Sequence, residues 1–404
     1  MKKLFFLLLL LVPFFAESQI AQFGGPTRTG SYPDKNLLDK WPDGGPQLLL
    51  TVQGIGAGWS SAVTNDKAIF ITGKKDTLDY LTSIDMTGKI NWQVPFGKSF
   101  LASFPDTRCT PTVEGNKVWV VSGTGRLSCF DATNGKEIWA VDVDKQFEAK
   151  WFNWGVSESV LIVDNKVICS PYGNKTGLVA FDKNTGKLIW QTKSVGGKRT
   201  FVNPALYVYK NFKYILSANT EEVVAVNVEN GDIAWEYKSK GGEISATTPM
   251  YKGNEIYITR GYNATAAMLT MAEDGKSVSV KWKDTVLDNH HGGVVVVNGT
   301  IYGANWITNG KGNWCSIDWN TGKAGYETTW INKGSIITAD NKLICYEEKT
   351  GNVALVNPNP AKFDIVSTFK IDKGTGTYWS HPMINKGKLY IRHGDFLMVY
   401  NISK

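Results

Sequence analysis

Apolar and polar positions alternate along this chain in short runs that predict strands. Lys117-Val-Trp-Val-Val-Ser122 and Glu255-Ile-Tyr-Ile-Thr259 are typical: rich in β-branched and aromatic residues and bounded by Gly or Asn. After the first eighteen residues no segment keeps a helical period, so the fold class expected is all-β.

One unit recurs. A strand, a turn and a second strand are followed by Asp-x-x-Thr/Asn-Gly-Lys, a hydrophobe and Trp, as in Asp85 to Trp92, Asp131 to Trp139, Asp182 to Trp190 and Asn227 to Trp235. Degenerate copies run from Met271 to Trp282 and from Asp318 to Tyr326, and a copy around Leu355 to Phe369 has lost the glycine. Gly88, Gly135, Gly186, Gly231, Gly275 and Gly322 are spaced 47, 51, 45, 44 and 47 residues apart, which is one four-stranded propeller blade per repeat. The glycine supplies the positive φ of a tight hairpin, and the Asp accepts hydrogen bonds from the turn. The Trp is expected to wedge against the next blade, so that Trp139→Ala, emptying a buried aromatic site, would cost about 3–5 kcal/mol.

Ser61, Thr110, Ser159, Asn203, Thr248, Gly293, Ser335 and His381 occupy equivalent places in eight first strands. The eighth copy ends at Lys404 with no room for a fourth strand, while Pro46 to Val52 reads as an orphan strand. Pairing the two closes an eight-bladed β-propeller and removes both exposed edges.

Composition agrees, with 41 Gly, 15 Trp and 16 Tyr in 404 residues. Lys2-Lys3, an apolar run from Leu4 to Ala16 and Ala16-x-Ser18 form a signal-peptide pattern, too short to span a membrane and interrupted by Pro13. Residues 1–18 are therefore expected to be cleaved, and 19–404 to form one secreted or periplasmic propeller domain. The formal charge of +7 is scattered through turns, which gives nucleic-acid binding little support. Five cysteines lie in apolar strand runs or at no metal-like spacing, so neither a disulfide framework nor a metal site is expected.

The aligned first strands place side chains at one mouth of the central channel. Two places before each aligned position stand Trp59, Arg108, Ser157, Phe201, Ala246, His291, Lys333 and Trp379. The next place adds Ser60, Cys109, Glu158, Val202 and Thr247, and the aligned position itself adds Asn203 and His381. Aromatic faces, two cations, a carboxylate and histidines make a small-molecule pocket one reading; the other is that these groups plug the channel and cap strand ends. His290 and His291, in Asn289-His-His-Gly-Gly293, would face opposite ways in an extended strand, one into the channel and one at the blade seam. No Gly-x-Ser-x-Gly elbow or His-Glu-x-x-His run occurs, so nothing argues for hydrolysis.

Phe130-Asp131-Ala132-x-Asn134-Gly135-Lys136-x-x-Trp139 resembles the tryptophan-docking motif of the pyrroloquinoline quinone (PQQ) type propellers, a superfamily that holds quinoprotein alcohol dehydrogenases and BamB-like outer-membrane assembly scaffolds. Phe23-Gly-Gly-Pro26, Trp41-Pro-Asp-Gly-Gly-Pro46 and Asn289-His-His-Gly-Gly293 are similar to segments of exported PQQ-like repeat proteins. The resemblance implies the fold throughout the mature chain and, in the dehydrogenases, PQQ with Ca²⁺. Arg108 and Lys333 would then meet quinone carboxylates, Trp59 or Trp379 would stack on the ring, and Glu158 and Asn203 would offer oxygen ligands. Unlike the dehydrogenases, this sequence has no adjacent cysteine pair. The leading expectation is a monomeric, non-catalytic propeller that binds a small molecule or a protein at its ends. The alternatives are a quinoprotein alcohol or sugar oxidoreductase with Glu158 as base, and a BamB-like scaffold.

Overall fold

The computed structural model describes residues 20–151, 153–239 and 246–404. The signal-like residues 1–18 lie outside them. Eight four-stranded antiparallel sheets form a ring of blades: 63–98, 112–142, 161–191, 205–238, 250–284, 289–328, 334–370, and 383–401 completed by Gln47–Gln53. A five-residue helix, Val143–Phe147, links the second and third blades. No helix among the described residues is long and apolar enough to cross a membrane.

Gln47–Gln53 pairs antiparallel with Phe396–Asn401, as the orphan strand requires. Arg392 latches this last blade onto the first: its guanidinium is buried and donates to Ser60 Oγ at 2.7 Å and to the carbonyls of Gly56 and Thr72.

The repeated Gly and Trp meet across the seams. Trp92 lies on Gly135, Trp139 on Gly186, Trp190 on Gly231 and Trp282 on Gly322. Gly186 has φ +69° and a Cβ there would fall 2.6 Å from the Trp139 ring, so turn and seam both demand glycine. Where the motif decays, substitutes dock: Phe212 on Gly275, Phe369 on Gly45, and Leu50 with Val52 on Gly88. The Trp139 ring keeps part of its surface in solvent, with its N–H donating to Lys183 O at 3.2 Å. This corrects the expectation of a fully buried wedge. Trp139→Ala is expected to lower stability by about 2 kcal/mol, below the usual range for a buried ring, and a urea midpoint unchanged from wild type would remove the seam role.

Residues 20–37 cross one end of the ring. Ala21 exchanges two backbone hydrogen bonds with Val113 of the second blade, Gly30 and Tyr32 bond Thr338 of the seventh, and Leu38 donates to Ile402 beyond the eighth. From this segment Arg28, 3% exposed, donates to Gln22 Oε1, to Val160 O at 2.9 Å and to Ser159 O. The crossing segment runs over the channel on the side of the first-to-second strand turns.

Candidate functional site

The opposite mouth holds a cavity of about 250 Å³. Seven of the eight side chains two places before the aligned positions line it, namely Trp59, Arg108, Ser157, Phe201, Ala246, His291 and Trp379, together with Asn203, His290 and His381. They arrive from different blades because each inner strand begins at the same height on the ring.

Two candidates do not reach the cavity. Glu158 sits one residue from Ser157, and successive strand side chains face opposite ways. Ser60, Cys109, Val202 and Thr247 at the same register are buried within the blades too. The Glu158 carboxylate accepts from Ser170 N and Oγ, the latter at 2.7 Å, and from Arg199 Nη2 at 3.1 Å. Arg199 also bridges to Asp144 at 2.6 Å. Burial works against the Arg199 charge, but the two carboxylates outweigh it and hold its pKa above the ordinary value. Lys333 is likewise buried behind the wall, 2.6 Å from Glu348 and bonded to Thr308 O and Asn309 O.

Both histidines of the Asn-His-His-Gly-Gly run enter the cavity, contrary to the extended-strand expectation. The register shifts between Asn289 and Val294, so residues 290–293 bulge from the ladder. Asn289 holds the bulge: Oδ1 accepts from Gly293 N and Thr247 Oγ1, while Nδ2 donates to Gly293 O and Ala304 O. Gly292 fits because a Cβ there would fall 1.8 Å from Gly334 O of the next blade. His290 and His291 rings sit 4.6 Å apart, and His290 Nε2 lies 3.2 Å from Tyr262 Oη. His291 Nε2 is 2.8 Å from Glu348 Oε2, at ion-pair distance but out of line for a hydrogen bond. Burial opposes the Glu348 charge, yet His291 and Lys333 hold its carboxyl below the usual range.

The rest of the wall was not legible in the repeat. Phe23 comes from the crossing segment and packs on His381 at 4.9 Å, Phe104 from the loop after the first blade, and Trp154 from the loop after the helix. Glu348 and Asn309 come from turns of the seventh and sixth blades. For Phe23 alone a signal existed, in Phe23-Gly-Gly-Pro26.

The aromatic faces form a bowl. Trp59 and Trp379 are 5.0 Å apart at 46°, Phe104 and Trp379 5.2 Å at 52°, His291 and Trp379 5.4 Å at 58°. The Arg108 guanidinium lies 5.1 Å over Trp59 and donates to the carbonyls of Ser103 and Phe104. Burial lowers its pKa to about 10, which keeps it a cation at neutral pH.

Burial also drives His381 down to about 4, and burial with His291 and Lys333 drives His290 to about 2. Below pH ~6.5 the unfolded chain takes up protons that the folded chain refuses, so stability falls as pH drops from there towards the folded values. The melting temperature is expected to decline between pH 6.5 and 4, by at most about 1.4 kcal/mol of stability per pH unit per histidine. His381→Gln should flatten that decline, and an unchanged slope would refute the assignment.

Comparison with known proteins fixes the relationship. The family model for the outer membrane protein assembly factor BamB, of the PQQ-repeat type, matches residues 77–323. The chain belongs to this family. It is 26% identical over 183 residues to BamB of Burkholderia pseudomallei, covering 43% of this chain and 42% of that protein, so the match spans about two fifths of the relative's length. BamB of Moraxella catarrhalis superposes with a TM-score of 0.65 at 14% identity, over 88% of this chain and 99% of that one. Quinohemoprotein alcohol dehydrogenase of Comamonas testosteroni gives 0.69 at 13%, over 96% and 81%. At these identities the solved structures show the fold alone. Against the PQQ and Ca²⁺ of the dehydrogenase type, this BamB-family propeller's donor set does not fit: Glu158 is spent on Arg199 and Ser170, and Asn203 Oδ1 accepts from Ser159 N at 2.6 Å.

Proposed function

We propose that this chain is an exported, non-catalytic propeller of the BamB family that holds a small ligand in the aromatic mouth of its channel. Export rests on the leader-like pattern of residues 1–18. The observation that carries the binding reading is the convergence of Trp59, Arg108, Phe201, His291 and Trp379, from separate blades, on one cavity. The reading as non-catalytic rests on Glu158, the carboxylate expected as base, being buried in an ion pair. A protein partner at the same rim is the second reading, favoured by exposed Leu101 and Ile307 in the loops that carry Phe104 and Asn309.

The test is a melting curve of the purified protein with and without PQQ and Ca²⁺, an absorbance spectrum, and dye-linked alcohol oxidation. No shift, no quinone band and no dye reduction are expected. A saturable shift lost in Arg108→Ala, with alcohol-dependent dye reduction, would replace this reading with a quinoprotein oxidoreductase.

A further inference from the structure

We infer that the ligand of the channel mouth is a sugar acid, a pyranose ring carrying a carboxylate; this rests on the mouth being a binding site. Three features point to that class.

The first is the tilt of the aromatic faces. A flat conjugated ligand is gripped between parallel rings, whereas the described rings that line the mouth meet at 46° to 82°. Such a bowl offers negative π-faces in several directions. A puckered ring presents C–H groups in several directions and so meets more than one face at once.

The second is the polar inventory between the rings. Asn203 and Asn309 each spend the side-chain carbonyl on the protein, accepting from Ser159 N and Trp306 Nε1, which leaves amide N–H donors. The His290 imidazole, neutral at pH 7, has no partner for Nδ1. Donors and acceptors spaced around an apolar bowl suit hydroxyls, each of which donates and accepts. At about 250 Å³ the cavity falls below the ~300–1,000 Å³ of drug-sized sites and suits a single ring.

The third is charge. Lys333 and His291 both face Glu348, on its two oxygens, and His290 and His381 are neutral at pH 7. Arg108 has no carboxylate within ion-pair distance among the described residues, so its guanidinium, which lines the cavity, is free to meet a ligand anion. Two carbonyls and Trp59 orient it, which favours a planar carboxylate.

The experiment is calorimetric or tryptophan-fluorescence titration of the mature protein with D-glucuronate and D-galacturonate, their neutral parents glucose and galactose, and PQQ. At least one uronate is expected to bind tenfold or more tightly than its parent. Arg108→Met should erase that difference, and Trp379→Ala should weaken uronate and parent sugar alike. Melting temperatures within a few degrees of wild type establish that the variants fold. Equal affinity for uronate and parent, or a uronate preference that survives Arg108→Met, overturns the sugar-acid inference. If PQQ or another non-sugar binds and Trp379→Ala abolishes it while no sugar binds, the sugar class fails and the binding site stands. Trigalacturonate separates the sources: undiminished affinity assigns a polysaccharide end entering the mouth, and its loss assigns the free sugar.

Discussion

A protein lacking residues 19–53 is expected not to fold. The deletion removes the fourth strand of the last blade and leaves Phe396–Asn401 as an open edge beside the first blade. It also removes Val52, Trp41, Leu37 and Tyr32 from one continuous core cluster, where each is less than a tenth exposed. Leu50 and Val52 would no longer cover Gly88, and the Asp395 carboxylate would lose the backbone N–H donors of Gly54 and Gly56 only in part, since Gly54 and Gly56 remain but no longer have a strand to hold them. On the channel side, the Arg28 hydrogen bonds to the third blade go as well. Circular dichroism and size-exclusion chromatography should show aggregation or no cooperative melt. A normal melting curve for the truncation would mean that the ring does not depend on its N-terminal closure.

Arg199→Met is expected to cost about 3–5 kcal/mol, as removing one partner from a buried ion network does. Asp144 and Glu158 would be left facing each other without a cation, in a site where all three side chains are at most 5% exposed. Arg199→Met combined with Asp144→Asn and Glu158→Gln should recover much of the loss, because the uncompensated charges are gone. Urea unfolding at pH 7 reads both variants. A loss under about 1 kcal/mol for the single variant would show that Glu158 is not committed to structure, and would reopen its role as a base.

The ring was legible because each blade repeats its own punctuation. Gly135 and Trp139 are readable as turn and wedge from composition and spacing alone, and the orphan Pro46 to Val52 is readable because eight first strands leave one fourth strand missing. The same register put Trp59, Arg108, Phe201 and Trp379 at one mouth, where the structure has them. Glu158, expected at the cavity, points into the blade instead, because it stands next to Ser157 and successive strand side chains alternate. Lys333 could not be placed because its partner Glu348 lies on another strand turn, fifteen residues on, and that pairing draws the ammonium out of the cavity. The two histidines enter together only because Asn289 braces a bulge, and the hydrogen bonds of that amide to Thr247 and Ala304 are tertiary. Phe23, Phe104 and Trp154 sit in segments outside the repeat, so no periodic signal could assign them to the mouth.

The most direct measurement is a thermal-shift screen of small ligands run in parallel on the wild type and on the Arg108→Met, Trp379→Ala double variant. Both side chains line the mouth and neither belongs to a buried core cluster, so the double variant should melt within a few degrees of wild type. The expected result is at least one compound that raises the wild-type melting temperature saturably and leaves the double variant unmoved. Wild type and double variant responding alike to every compound would contradict binding at the channel mouth.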